Sequence, residues 1–351
     1  MNNLPEDDLA RPENWPLDTS SSLDSTEAPS SVEELSLEKS EIEANSQIDD
    51  APAAAEPPPA SYATAQPEPP LFYSWSQPEV HPPARIPNFG HLLLLAALAL
   101  VGVVAASIVF YAGVHFHLFG VSSMQQAGTD IHYILGVEGL IYLFTFGASL
   151  LVFPMFWHKS LFAGLQWNGA TAVRLRGRLV SAALVCFLLA WLNGYFMPGP
   201  TNTPIEKIFR SPGAAWMLFA FGVTFAPFFE EMLFRGFLLP ALCTAYDWVA
   251  EQITHKPAPL LLEGGHPQWT LPAMVVGSIA TSIPFAAMHA EQTGYAIGPF
   301  LLLVCVSLVL CTARLVTRSL AASTLVHACY NFLLFSLMLI GTGGFKHLDK
   351  M

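Results

Sequence analysis

The sequence has very little charge for its length. Only 12% of its 351 residues are charged, whereas 53% are hydrophobic. Mean hydropathy is +0.45. The apolar excess lies in blocks of about 20 residues, which excludes an ordinary soluble domain and points to a polytopic helical membrane protein. Positive charge is not in excess anywhere that matters for nucleic acid. The formal charge is -12, with 17 acids against three bases in residues 1–88 and 10 acids against 12 bases in residues 89–351. The five cysteines (Cys186, Cys243, Cys305, Cys311, Cys329) show no C-x-x-C spacing and sit in or beside apolar spans. They read as small buried hydrophobes, not as disulfides or metal ligands. There is no H-E-x-x-H helix and no repeat between the two halves. The N-terminus lacks the basic start and short apolar core of a signal peptide.

What is present divides the chain in three. Residues 1–89 form an acidic tail rich in Pro, Ser and Ala, which cannot bury enough apolar surface to offset chain entropy, so disorder is expected. Residues 90–343 form the transmembrane part, and 344–351 a short C-terminal tail. The fold class is all-α, a polytopic transmembrane bundle of about seven to eight spans. The spans are placed at about His91 to Val114, Ile131 to Trp157, Leu179 to Met197, Ala214 to Leu242, Leu271 to Ala290, Ile297 to Val316 and Leu320 to Gly341. Pro227, Pro272, Pro284 and Pro299 are candidate breaks within them. Asp247, Glu251 and Lys256 are assigned to a loop after the fourth span. Lys159, Arg174, Arg176 and Arg178 form a basic loop without an acid, and Arg314 with Arg318 a second. Under the positive-inside rule both face the cytoplasm and the N-terminus is inside.

The fourth span carries Pro227-Phe228-Phe229-Glu230-Glu231-Met232-Leu233-Phe234-Arg235. Charges at bilayer depth are expensive and normally face a bundle interior. On a regular helix Glu231 and Arg235 are i,i+4 neighbours that can pair, while Glu230 points about 100° away and stays available. His289 lies at the end of the fifth span, and His327 and Asn331 share a face of the seventh. A lone intramembrane His or Asn usually bonds helix to helix. Five polar groups on three spans are satisfied together if they line one hydrated pocket. Glu138, in the second span, either lines a cavity or bonds a neighbouring helix, and the structural reading is the favoured one.

These residues resemble a known family. Glu230-Glu231 with Arg235 fits E-E-x-x-x-R, Phe285 with His289 fits F-x-x-x-H, and His327 with Asn331 fits H-x-x-x-N. In this order on three late spans they are similar to the CPBP family of intramembrane proteases, which includes CAAX prenyl endopeptidases and bacteriocin-processing or Abi-type proteins. The resemblance covers about residues 214–335. It implies hydrolysis of a peptide bond in a membrane-associated protein or peptide. It also implies that His289 helps hold the water and that His327 and Asn331 offer donors to the oxyanion.

The chemistry itself needs an activated water, a stabilised oxyanion and a proton for the leaving amine. Glu230 is the expected general base, with Glu231 held by Arg235. Glu230, His289 and His327 with one further ligand would also satisfy a divalent metal such as zinc, leaving a place for water. The same atoms serve a metal-free glutamate site, and both options stand. Two other classes compete: a catalytically silent immunity or scaffold protein of the same fold, and a proton-coupled transporter, which would usually show internal repeats. The expected partners are the lipid bilayer and the substrate. The expected location is a bacterial cytoplasmic membrane.

Overall fold

A computed structural model describes residues 85–197, 200, 211–256 and 269–345. The expected acidic tail therefore lies outside the described residues up to position 84, as does the stretch 346–351 at the other end. The described secondary structure is helical throughout. We label the long helices α1 (Phe89–His115), α2 (Ile131–Trp157), α3 (Arg176–Phe196), α4 (Pro212–Glu231), α5 (Leu239–Thr254), α6 (Leu271–Met288), α7 (Ile297–Thr317) and α8 (Leu320–Gly341). A π-helical segment, Met232–Leu238, joins α4 to α5 without a break.

Among the described residues seven helices are long and apolar enough to cross a membrane, which agrees with the expected seven to eight spans. The helix ends carry the usual signals. Asn88, Asp130, Thr270 and Ser319 cap α1, α2, α6 and α8 through their side chains. Pro212 and Pro272 sit in first turns. Large apolar side chains point outward along these helices; Leu93, Leu100, Ile108, Leu151, Trp191 and Ile340 are all more than half exposed. Water would not tolerate so much apolar surface, and a lipid environment requires it. The chain is an integral membrane protein.

Several expectations are corrected. The fourth span does not end near Leu242: residues 213–254 form one helix of 42 residues. At 1.5 Å per residue it is about 60 Å long, roughly twice the hydrocarbon core. Asp247 and Glu251 are thus helical, not in a loop. Asp247 is buried and accepts from the amide and hydroxyl of Thr270, so it fixes the start of α6. Glu251 pairs with Arg85. Pro227 and Pro284 lie inside helices that continue past them. Arg314 is not a loop cation, since it is buried within α7; Arg174, Arg176, Arg178 and Arg318 are exposed as expected. Cys305 is exposed rather than buried, while Cys186, Cys243 and Cys311 are buried and all five are free thiols.

The length of the fourth helix determines where α6 delivers its histidine. α6 runs antiparallel to α5, with Thr270 beside Asp247 and Gly277 beside Cys243. Asp247 lies 17 residues beyond Glu230, and Thr270 lies 19 residues before His289. Both intervals climb about 25 to 30 Å, so His289 arrives at the level of Glu230. Straight spans of equal length would have left it near the opposite face.

Gly277 makes this alignment possible. A Cβ there would lie 2.6 Å from Cys243 Sγ and 3.5 Å from Cys243 N. Overpacking of this kind costs about 1–3 kcal/mol. Gly277→Ala is expected to lower the thermal unfolding temperature in detergent by several degrees, and pairing it with Cys243→Ala should recover part of the loss. An unchanged melting temperature in the single variant would contradict the tight α5–α6 crossing.

Candidate active site

The site is built around a buried ion pair. Glu231 and Arg235 are both fully buried, with Arg235 Nη1 donating to Glu231 Oε1 at 2.7 Å. The i,i+4 pairing holds even though the segment between them is π-helical rather than regular α. Arg235 Nη2 donates to Ser307 Oγ at 2.7 Å and Ser307 O at 3.1 Å on α7. Its guanidinium also stacks 4.5 Å from the ring centroid of Phe285 on α6. A π-helical turn leaves backbone carbonyls off the α ladder. The carbonyl of Arg235 is taken by Arg314 Nε at 3.3 Å, and Arg314 Nη2 reaches the carbonyl of Leu165. Nothing in the spacing signals this role for Arg314, because a basic residue near a span end reads first as a loop charge.

Glu230, one residue earlier, turns the other way. It is 8% exposed and lines a cavity of about 370 Å³ together with His289, His327 and Asn331. Its Oε2 has no hydrogen-bond partner. The Nε2 atoms of His289 and His327 lie 3.8 and 3.9 Å from that oxygen. The opposite nitrogens are engaged: His289 Nδ1 with the Phe285 carbonyl at 2.9 Å, and His327 Nδ1 with Glu231 Oε1 at 3.1 Å. Carbonyl and carboxylate oxygens only accept, so both Nδ1 atoms carry hydrogen, which assigns the tautomers. When neutral, each imidazole therefore turns an unprotonated Nε2 toward Glu230.

Three acceptors then surround one small volume. His327 lies against both carboxylates.

Asn331 reaches the same cavity but is partly committed, since its Nδ2 donates to the Gly222 carbonyl at 2.8 Å. One amide hydrogen remains. Glu138 departs from expectation. Its bond is not to a neighbouring helix but from Tyr142, one turn along its own helix, at 2.8 Å, and it lines the cavity with Glu230.

The oxygen and two nitrogens facing each other are of the kind zinc takes. Their arrangement is not that of a metal centre: among the described residues no group of three or more His, Cys, Asp and Glu side chains is placed to hold a metal ion. No step below is routed through one.

Removing one member of a buried ion pair strands the other, at about 3–5 kcal/mol. Arg235→Met should therefore leave little folded protein by size-exclusion chromatography and thermal melting. The double variant Arg235→Met with Glu231→Gln should be less damaged than the single one. Equal loss in both would show that the pair is not the source of the cost.

Comparison with known proteins follows the same boundaries as the site. Neither the curated proteins nor the solved structures give a match. Residues 212–333 match the family described as "Rce1-like: Type II CAAX prenyl endopeptidase Rce1-like", which supplies α4 through most of α8 and every residue of the three motifs. Over this stretch, about a third of the chain, the protein is similar to the type II CAAX prenyl endopeptidases.

Proposed function

We propose that the protein is an intramembrane endopeptidase that hydrolyses a peptide bond of a membrane-associated substrate with a water activated by Glu230. The observation that carries this reading is the unpartnered Oε2 of Glu230. A buried acceptor aimed into a cavity between two imidazoles is costly for stability alone and is what a general base requires. The family match to 212–333 supports the same class of chemistry.

In this mechanism the water sits between Glu230 Oε2 and the imidazoles. Glu230 takes a proton as the water oxygen forms its bond to the carbonyl carbon. The oxyanion that develops is met by the free amide hydrogen of Asn331 and by Nε2–H of His327, in the state where His327 carries both protons. His289 is fixed by its Nδ1 bond to Phe285 and accepts from the water through Nε2. As the C–N bond breaks, Glu230 returns its proton to the leaving amine. Glu231 does not exchange protons with substrate; it orients His327 and holds Arg235.

The apolar walls of the cavity suit a substrate segment that is largely apolar. Membership of a bacterial cytoplasmic membrane, with the N-terminus inside, is part of the same proposal. The exposed bases Arg174, Arg176 and Arg178 support that orientation, whereas the burial of Arg314 leaves Arg318 as the exposed base of the second basic loop.

Glu230→Gln should keep the fold and lower cleavage by about 10² to 10⁴, the usual worth of a positioned general base. Comparing membrane proteomes of cells carrying the two forms should reveal fragments that vanish with the variant. Cleavage at wild-type rates by Glu230→Gln would end the hydrolase reading. Dialysis of the purified protein against a chelator should leave its activity within about twofold, because Glu230, His289, His327 and Asn331 carry every step. A loss restored by added zinc would replace this mechanism with a metal-assisted one.

A further inference from the structure

The cavity beside Glu230 holds a second carboxylate that the hydrolytic scheme leaves idle. Glu138 sits on α2, outside the family-matched stretch 212–333, yet it lines the same cavity. Its side chain is held in place: Tyr142 donates to Oε1 at 2.8 Å. The Tyr142 ring is fixed in turn by stacking on Phe229 at 4.8 Å and on Phe221 at 6.1 Å. Phe221 itself lines the cavity.

A half-buried carboxylate in an apolar wall normally faces a cation. Among the described residues that line this cavity there is no lysine or arginine. Arg235 is occupied by Glu231 and Ser307. The two histidines face Glu230, and each has its other nitrogen bonded to protein. The cavity therefore presents two carboxylates, one of them with a buried oxygen lacking any partner, against at most one imidazolium. Its surplus charge is negative, and its remaining walls are mostly apolar, with neutral polar groups at Gln292, Thr293 and Asn331.

We infer that Glu138, with Phe221 beside it, forms a subsite that selects a lysine or arginine side chain on an otherwise apolar substrate segment. Such a side chain lays its methylene stem along apolar walls and brings its charge to the carboxylate. An aromatic neighbour adds attraction for the same cation. The inference rests on reading the cavity as a substrate site, but not on cleavage.

The test uses binding to the full-length Glu230→Gln protein in detergent, so that bound peptide survives. The probes are a short fluorescent apolar peptide with one lysine and its counterpart with norleucine at that position, followed by anisotropy. The lysine peptide should bind roughly tenfold tighter. Adding Glu138→Gln should erase that preference while norleucine binding persists, which also reports an intact cavity. Glu138→Lys should favour a glutamate peptide instead, and Phe221→Leu should weaken the lysine preference in part. A preference that survives Glu138→Gln, equal binding of the two probes, or binding of neither overturns the subsite. A lysine preference in the variant, together with a wild-type protein that cleaves neither peptide, would sink the hydrolase reading and leave the subsite standing. Cleavage without any preference would do the reverse.

Discussion

The buried pair of Glu231 and Arg235 is the interaction on which the rest of the structure depends. At bilayer depth no water satisfies a charge, so the pair depends on protein partners, which meet Glu231 Oε1 and both terminal guanidinium nitrogens and leave Glu231 Oε2 and Arg235 Nε without a hydrogen bond. Each partner comes from a different helix. Ser307 of α7 takes the second guanidinium nitrogen, Phe285 of α6 covers its face, and His327 of α8 meets the carboxylate. One ion pair thus specifies the mutual positions of four helices. A buried pair is weak evidence for net stability, since apolar replacements often do as well. What it confers here is uniqueness, because slipping any of the three partners by a turn strands a charge.

Glu230 inherits its character from this arrangement. The available cation, the serine and the tautomer-fixing bond all serve Glu231, and the neighbouring carboxylate is left with one free oxygen facing a cavity. Adjacent residues of identical chemistry become an anion paired with a guanidinium and one that faces a cavity because the helix points them to different partners. The π-helical segment that follows contributes to the same end. It frees the carbonyl of Arg235 for Arg314, so the irregular backbone beside the site is satisfied inside the protein rather than by lipid or solvent.

Much of this was legible in the sequence, for identifiable reasons. Span number and placement follow from apolar runs whose length the bilayer dictates, and helix starts from their capping residues. The pairing of Glu231 with Arg235 follows from spacing alone. The convergence of Glu230, His289 and His327 was implied by the family resemblance, while periodicity alone did not establish it. The missing fact was that the fourth helix continues to Thr254. Hydropathy could not reveal this, because the extension mixes buried Asp247 and Thr244 with exposed Trp248 and Ile253 and so reads as a loop. Arg314 and Glu138 were misjudged by one error in opposite directions. A charge near a span end was taken as solvated, and a charge within a span as helix glue, when burial and cavity placement are tertiary facts.

The displacement of α6 also explains why there is a cavity at all. Because α6 starts beside Asp247, it ends at the level of Glu230, and its helix supplies no wall beyond His289. On that side the lining passes to Leu218, Phe221 and Gly222 of α4, Pro299, Leu302 and Leu303 of α7, and Asn331, Leu334 and Phe335 of α8. Gln292 and Thr293, in the turn that replaces the missing helix, give this region polar groups. A bundle with α6 at full height would pack these faces together and close Glu230 off from water. The shift that brings His289 to the carboxylate therefore also opens the cavity that Glu230 lines. Register and access are two consequences of one helix extending past the bilayer.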